Sequence, residues 1–97
     1  MGILPGRMHR VHLVVHGRVQ GVGFRFFVSR HARERGLAGT VANRADGTLE
    51  IEAEGEQAML EQLVAEVRRG PAGARVVRVE EHWEEGPGSH RGFSISG

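Results

Sequence analysis

Residues 17–27, GRVQGVGFRFF, bring three glycines and two arginines to the predicted start of a helix. Glycine adopts backbone conformations that other residues resist, so Gly17, Gly21 and Gly23 can turn successive N–H groups towards one point. A helix N-terminus already carries partial positive charge, and Arg18 and Arg25 add to it where an acidic residue would be stabilising. The arrangement predicts a bound anion. Phosphate suits it, because a guanidinium can donate two hydrogen bonds to phosphate oxygens.

A second interpretation of this segment is a glycine-rich connection that carries surface arginines. The segment is not the Walker motif, which ends in Gly-Lys-Ser/Thr, and its glycine spacing differs from the dinucleotide-binding motif. From local chemistry alone, the phosphate site and the plain connection both remain open.

The pattern of apolar residues predicts the elements around this segment. Alternation over residues 8–16 indicates a half-buried strand with Val11, Leu13 and Val15 on one face. Apolar residues then recur at helical spacing from Phe24, and Gly36 is a typical C-terminal stop.

The rest of the chain predicts a hairpin, a second helix and two more strands. Residues 37–55 form two extended runs around a turn at Asp46 and Gly47, and the second run alternates apolar residues with Glu50, Glu52 and Glu54. The second helix has an apolar stripe and ends at residues 70–73, GPAG; strands follow at residues 74–85 and 92–96. The order βαββαβ plus a short C-terminal strand predicts an α+β, ferredoxin-like two-layer sandwich, with both helices on one face of a mixed or antiparallel sheet.

Length and composition allow one small domain. The chain has 97 residues, 39% of them hydrophobic, with a formal net charge of +1 and no cysteine. Disulfides and thiolate chemistry are excluded, no apolar run is long enough to span a membrane, and no signal peptide is recognisable. We therefore expect a cytoplasmic protein with a mobile lead-in at residues 1–7 and a domain at residues 8–97.

Two motifs resemble the acylphosphatase family: GRVQGVGFR at residues 17–25 and GTVANRADGTLEI at residues 39–51. The second motif departs from the family pattern at Thr40, where a tryptophan is typical, and at Ala42, where a basic residue is frequent. The resemblance covers nearly the whole chain after the lead-in. It implies a ferredoxin-like, metal-independent enzyme that hydrolyses acyl phosphates to a carboxylate and inorganic phosphate.

The resemblance also implies roles for individual residues. Arg25 and Asn43 match the catalytic positions: Arg25 would hold the phosphoryl group and Asn43 would position the attacking water. Asn43 is also the chain's one asparagine, on a predicted strand where asparagine is disfavoured. The residues expected to bind the substrate phosphate are Arg18, Val19, Gln20, Gly21, Val22, Gly23, Phe24 and Arg25.

No metal or other cofactor is expected. His12 and His16 share one face of the first strand, but four strand residues span about 13 Å, which is too far for both to bind one ion. We interpret them as exposed residues of a polar face. Free phosphate and sulfate are expected to compete with the substrate, and the chain is expected to act as a monomer.

Two other functions are compatible with parts of this sequence. An RNA-recognition motif shares the βαββαβ order, but its aromatic motif belongs on the third strand, where this chain has three glutamates that would repel phosphates. Nucleic acid is therefore not an expected partner. A membrane is not expected either, because no apolar run is long enough to span one. An acylphosphatase-like domain of a larger maturation protein is the other alternative. We expect a free-standing enzyme, because the chain begins with Met1 and includes a closing strand.

Overall fold

The computed structural model describes residues 8–96; the predicted lead-in at residues 1–7 lies outside them. Seven elements follow one another: β1 (Met8–Arg18), α1 (Phe24–Glu34), β2 (Ala38–Asn43), β3 (Leu49–Glu56), α2 (Gln57–Arg69), β4 (Arg75–Glu85) and β5 (Phe93–Ile95). The predicted ferredoxin-like order and the short last strand are confirmed.

One five-stranded sheet forms the first layer, with strand order β4-β1-β3-β2-β5. β1 pairs antiparallel with both β3 and β4, and β2 pairs antiparallel with β3. β5 pairs parallel with β2, so the sheet is mixed. α1 packs on β2 and β5, α2 packs on β1, β3 and β4, and the helices touch each other.

The core lies between the sheet and the two helices, where the alternation predicted it. Val11, Leu13 and Val15 of β1 are buried, as are Leu49 and Ile51 of β3. The helices contribute apolar side chains at helical spacing: Phe24, Val28, Ala32, Leu60, Leu63, Val64 and Val67.

The helix ends follow the predicted signals. α1 is followed by Gly36 at φ 67°, and the Leu37 N–H donates to the Ala32 carbonyl at 2.9 Å. The left-handed conformation of Gly36 lets the Leu37 N–H reach this carbonyl of the last turn and directs the chain into β2. α2 ends at Arg69, and its C-cap is Gly70, the first residue of the predicted stop.

Glu54, which the alternation puts on the same face of β3 as Glu50 and Glu52, is buried. Glu54 is 4% exposed, because residues 88–90 between β4 and β5 cover it. Its carboxylate accepts backbone hydrogen bonds from Ser89 at 3.1 Å and His90 at 2.9 Å. Burial alone would raise the pKa of Glu54, but these N–H groups, together with the nearby His90 and Arg10 side chains, outweigh burial and lower that pKa.

No helix within residues 8–96 is both long enough and apolar enough to cross a membrane.

Candidate active site

The connection between β1 and α1 depends on glycine. Gly21 and Gly23 have φ of 74° and 76°, in the left-handed region where a side chain is strained. Gly17 has φ 129° and follows a register shift between β1 and β4, and a Cβ there would lie 2.1 Å from the Arg75 carbonyl oxygen. Gly17 therefore allows the end of β1 to lie close to the backbone of β4, and Gly21 and Gly23 allow the chain to turn sharply into the helix.

The first amides of α1 lie outside the hydrogen-bond ladder of the helix. The helix starts at Phe24 with Gly23 as its N-cap, no side chain caps it, and its first turn contains no acidic residue. The Phe27 N–H donates to the Gly23 carbonyl at 3.1 Å, so the helix ladder does not use the amides of Phe24, Arg25 and Phe26. These N–H groups and the helix dipole favour an anion at this position.

Arg25 and Asn43 line one small cavity at this helix end. Its volume is about 140 Å³, and both side chains are half-buried. The full lining is Val19, Gly21, Gly23, Phe24, Arg25, Phe26 and Asn43. A guanidinium, backbone amides and a carboxamide therefore surround the same space.

Sheet topology explains why these two residues meet although 18 positions separate them. β1 and β2 are both antiparallel to β3, which lies between them, so β1 and β2 run in the same direction. Their C-terminal ends reach the same edge of the sheet. The loop that follows β1 leads to Arg25, and Asn43 is the last residue of β2.

Gln20 connects the loop to the turn that follows Asn43. Its side-chain Nε2 donates to the Arg44 carbonyl at 2.8 Å and to the Thr48 carbonyl at 3.0 Å. The side chain therefore binds protein carbonyls and ties the loop to the β2–β3 turn beside Asn43. The sequence indicates Gln20 only as part of the phosphate loop, because neither carbonyl has a local sequence signal.

The β2–β3 turn has further hydrogen bonds of its own. The Asp46 carboxylate accepts from the Thr48 hydroxyl at 2.6 Å and from the Thr48 N–H at 3.0 Å, and the Arg44 N–H donates to the Thr48 carbonyl at 2.9 Å. The Thr48 hydroxyl and N–H lower the pKa of Asp46. This turn defines the direction in which β2 ends, and with it the position of Asn43.

Three of the predicted phosphate-binding residues do not line the cavity. Arg18 is exposed at the end of β1, the side chain of Gln20 reaches the turn, and Val22 packs against the core. Val19 and Phe24 line the cavity, but their side chains belong to the core, so their polar contribution is limited to the backbone. Phe26 lines the cavity and was not predicted.

His12 and His16 contact different glutamates. His12 Nε2 lies 2.6 Å from a Glu50 carboxylate oxygen, and His16 hydrogen-bonds Glu80 of β4. The contact with His16 lowers the pKa of Glu80. Both histidines lie on the polar face of β1 with intermediate exposure, and strand pairing brings acidic side chains to them from 38 and 64 positions away. Residues 8–96 contain no group of three His, Asp or Glu placed to hold a metal ion.

A larger cavity, of about 340 Å³, lies against β1, β3, β4 and the segment between β4 and β5. Its lining includes Glu52, Glu54 and Glu84 but neither Arg25 nor Asn43. It is also lined by Arg10 and three histidines, so its charge is mixed. The smaller cavity has an arginine and no carboxylate in its described lining, so it is the better candidate for anion chemistry.

Comparison with known proteins identifies the family of this chain. The acylphosphatase family model matches residues 11–95. The chain is 49% identical over 88 residues to an acylphosphatase of Thermococcus kodakarensis, covering 91% of this chain and 96% of that protein. An acylphosphatase of Roseiflexus is 44% identical, at 91% and 95% coverage.

Solved structures give the same result. The crystal structure of acylphosphatase from Bacillus subtilis superimposes with a TM-score of 0.88 at 41% identity, covering 91% of this chain and 98% of that one. HypF of T. kodakarensis superimposes with a TM-score of 0.79 at 35% identity, over 91% of this chain but 12% of HypF. A family match over nearly all described residues, together with relatives matched along nearly their full length, shows that this chain belongs to the acylphosphatase family, whose members hydrolyse acyl phosphates.

Proposed function

We propose that this chain hydrolyses acyl phosphates by holding the phosphoryl group against Arg25 and the amides of the 17–25 loop, while Asn43 positions the attacking water. The observation that carries this proposal is the single cavity lined by Arg25, the start of α1 and Asn43. Family membership supports the reaction itself.

An acyl phosphate is a mixed anhydride with a good leaving group, so its hydrolysis needs positioning and charge stabilisation more than a strong base. The water oxygen forms a bond to phosphorus, the bond from phosphorus to the carboxyl oxygen breaks, and the carboxylate leaves with the electron pair. The proton released by the water passes to a phosphate oxygen or to solvent.

Arg25 and the amides supply the electrostatic part of this mechanism. The phosphoryl oxygens are anionic in the substrate and in the transition state, so these donors act in both. They are built into a short loop and a helix end before the substrate arrives, and this preorganisation reduces the cost of reorganising dipoles during the reaction.

Asn43 supplies the positioning part. A carboxamide can accept a hydrogen bond from a water proton through its oxygen and donate one through its nitrogen, so it can orient a water without taking its proton. The end of β2 is anchored by the β2–β3 turn and by Gln20, which places the carboxamide on rigid backbone.

Four variants test these two roles: Arg25→Ala, Asn43→Ala, Asn43→Asp and, as a control, Arg30→Ala. Arg30 is an exposed arginine on the same helix that does not line the cavity. kcat, KM and inhibition by inorganic phosphate are measured for each variant with an acyl phosphate substrate.

Arg25→Ala is expected to weaken phosphate inhibition and substrate binding and to lower kcat. Asn43→Ala is expected to lower kcat about 100-fold or more with phosphate inhibition nearly unchanged. Asn43→Asp should also weaken binding, because it places a negative charge beside an anionic substrate. A folded Asn43→Ala protein with wild-type turnover would contradict the role of Asn43, and an equal effect of Arg30→Ala would contradict a specific role of Arg25.

Because the mechanism assigns charge stabilisation to Arg25 and the amides, it predicts full activity in the presence of a metal chelator. It also predicts that phosphate and sulfate compete with the substrate. We further propose that the protein is cytoplasmic and monomeric; cell fractionation tests the location and light scattering tests the oligomeric state.

A further inference from the structure

The ring of Phe26 does not pack in the hydrophobic core. Phe24, two positions earlier, is 2% exposed, and Phe27 packs against it edge-on at 5.7 Å between ring centroids. Phe26 is 72% exposed on the same helix. The apolar face of α1 is therefore completed by its neighbours, and Phe26 extends away from the core.

The position of this exposed ring is specific. Among the residues that the structure describes, three large apolar side chains are exposed: Met8, Phe26 and Val77. Of these, Phe26 lines the cavity that also holds Arg25 and Asn43. A single exposed apolar residue is ordinary on a protein surface. This one also belongs to the lining of a cavity with charged and polar groups, where a bound substrate can reach it.

The size of the cavity determines which part of the substrate it can enclose. Sites that bury a whole drug-sized ligand measure roughly 300–1,000 Å³. This cavity measures about 140 Å³, and its polar groups suit a phosphoryl group. When the phosphoryl group lies at Arg25, the acyl group must extend to the rim, where Phe26 offers an apolar surface.

We propose that Phe26 is a specificity-determining residue that contacts the acyl group and favours acyl phosphates with aromatic or extended apolar acyl groups over the smallest ones. The inference rests on the proposed placement of the phosphoryl group at Arg25. Contact between two aromatic rings stabilises a complex beyond simple area burial when the rings lie offset or edge to face. This contact exists in the ground state and the transition state alike, so it affects KM more than kcat.

The test compares benzoyl phosphate with acetyl phosphate for the wild-type protein, Phe26→Ala, Phe26→Tyr and Met8→Ala. Tyrosine keeps an aromatic ring at the rim. Met8→Ala removes an exposed apolar side chain at the other end of β1, about 33 Å along the strand from Arg18. KM, kcat and inhibition by inorganic phosphate are measured, and thermal unfolding checks the fold.

Phe26→Ala is expected to raise KM for benzoyl phosphate about 3- to 10-fold, which corresponds to the usual strength of one aromatic pair. KM for acetyl phosphate should change less than about 2-fold, with kcat and phosphate inhibition nearly unchanged, because the substitution removes the ring and keeps the backbone N–H of residue 26. Phe26→Tyr should retain most of the preference, and Met8→Ala should match the wild type.

Two results would overturn the role of Phe26. Equal changes in KM for both substrates would show that the ring does not discriminate between acyl groups. A matching loss of phosphate inhibition would show that the ring shapes the phosphate cavity instead. A wild-type protein that hydrolysed neither substrate would refute the function itself, whereas these two results leave that function intact.

Discussion

Replacing Gln20 by methionine removes the two hydrogen bonds that join the 17–25 loop to the β2–β3 turn. Methionine keeps a similar length and volume but cannot donate to the carbonyls of Arg44 and Thr48, which accept from Gln20 at 2.8 and 3.0 Å. A net contribution of about 0.5–1.5 kcal/mol for each bond predicts a loss of about 1–3 kcal/mol in the free energy of unfolding. For a domain of this size, each kcal/mol lowers Tm by roughly 4–8 °C.

The same change should reduce turnover through Asn43. The Arg44 carbonyl belongs to the residue that follows Asn43, so release of the turn allows the carboxamide to shift relative to Arg25. A displacement of about 1 Å can cost about 100-fold in rate, so we expect Gln20→Met to lower kcat about 10- to 100-fold. Inhibition by phosphate should change little, because Arg25 and the helix amides stay in place.

A double-mutant cycle tests whether Gln20 acts through Asn43. The assay measures kcat for wild type, Gln20→Met, Asn43→Ala and the double variant, below the Tm of the least stable protein. If Gln20 works by positioning Asn43, Gln20→Met should have almost no further effect when Asn43 is already alanine. Gln57→Met is the control, since Gln57 makes an exposed hydrogen bond to Glu61 on α2. Independent, multiplicative losses in the double variant would refute the coupling.

Three further predictions concern the buried carboxylate, the loop and the pH dependence of catalysis. The pKa of Glu54 is lower in the folded protein than its ordinary value of 4.5, so its stabilising effect is present above about pH 4.5 and is lost as pH falls through the folded pKa. In urea unfolding, the wild type should lose more stability between pH 6 and pH 3 than Glu54→Gln, and equal losses would contradict this account. Gly23→Ala should cost about 1–2 kcal/mol, because alanine is strained at φ 76°, and should weaken phosphate inhibition by moving the helix amides; normal inhibition would argue against an amide contact. Since neither a guanidinium nor a carboxamide titrates near neutrality, kcat should be flat there apart from titration of the substrate, and a bell-shaped profile would indicate an acid–base pair.

The sequence by itself was sufficient for the features that depend on local pattern. Alternation identified the buried face of β1, helical spacing identified the core side of both helices, and glycine placement identified the sharp turn before α1. Arg25 and Asn43 were named from their motifs, and the structure places both on one cavity. These features could be predicted because backbone preference and side-chain period act over a few neighbouring residues.

The tertiary structure alone decided the features that join distant parts of the chain. Glu54 follows the alternating pattern of an exposed residue, yet a segment about 35 positions later covers it and donates two N–H groups. Gln20 reaches carbonyls 24 and 28 positions away, and Phe26 is exposed beside the cavity because Phe24 and Phe27 occupy the core face of the helix. Strand order, register and loop path determine these contacts, and the local period of a sequence does not specify which distant segments will meet.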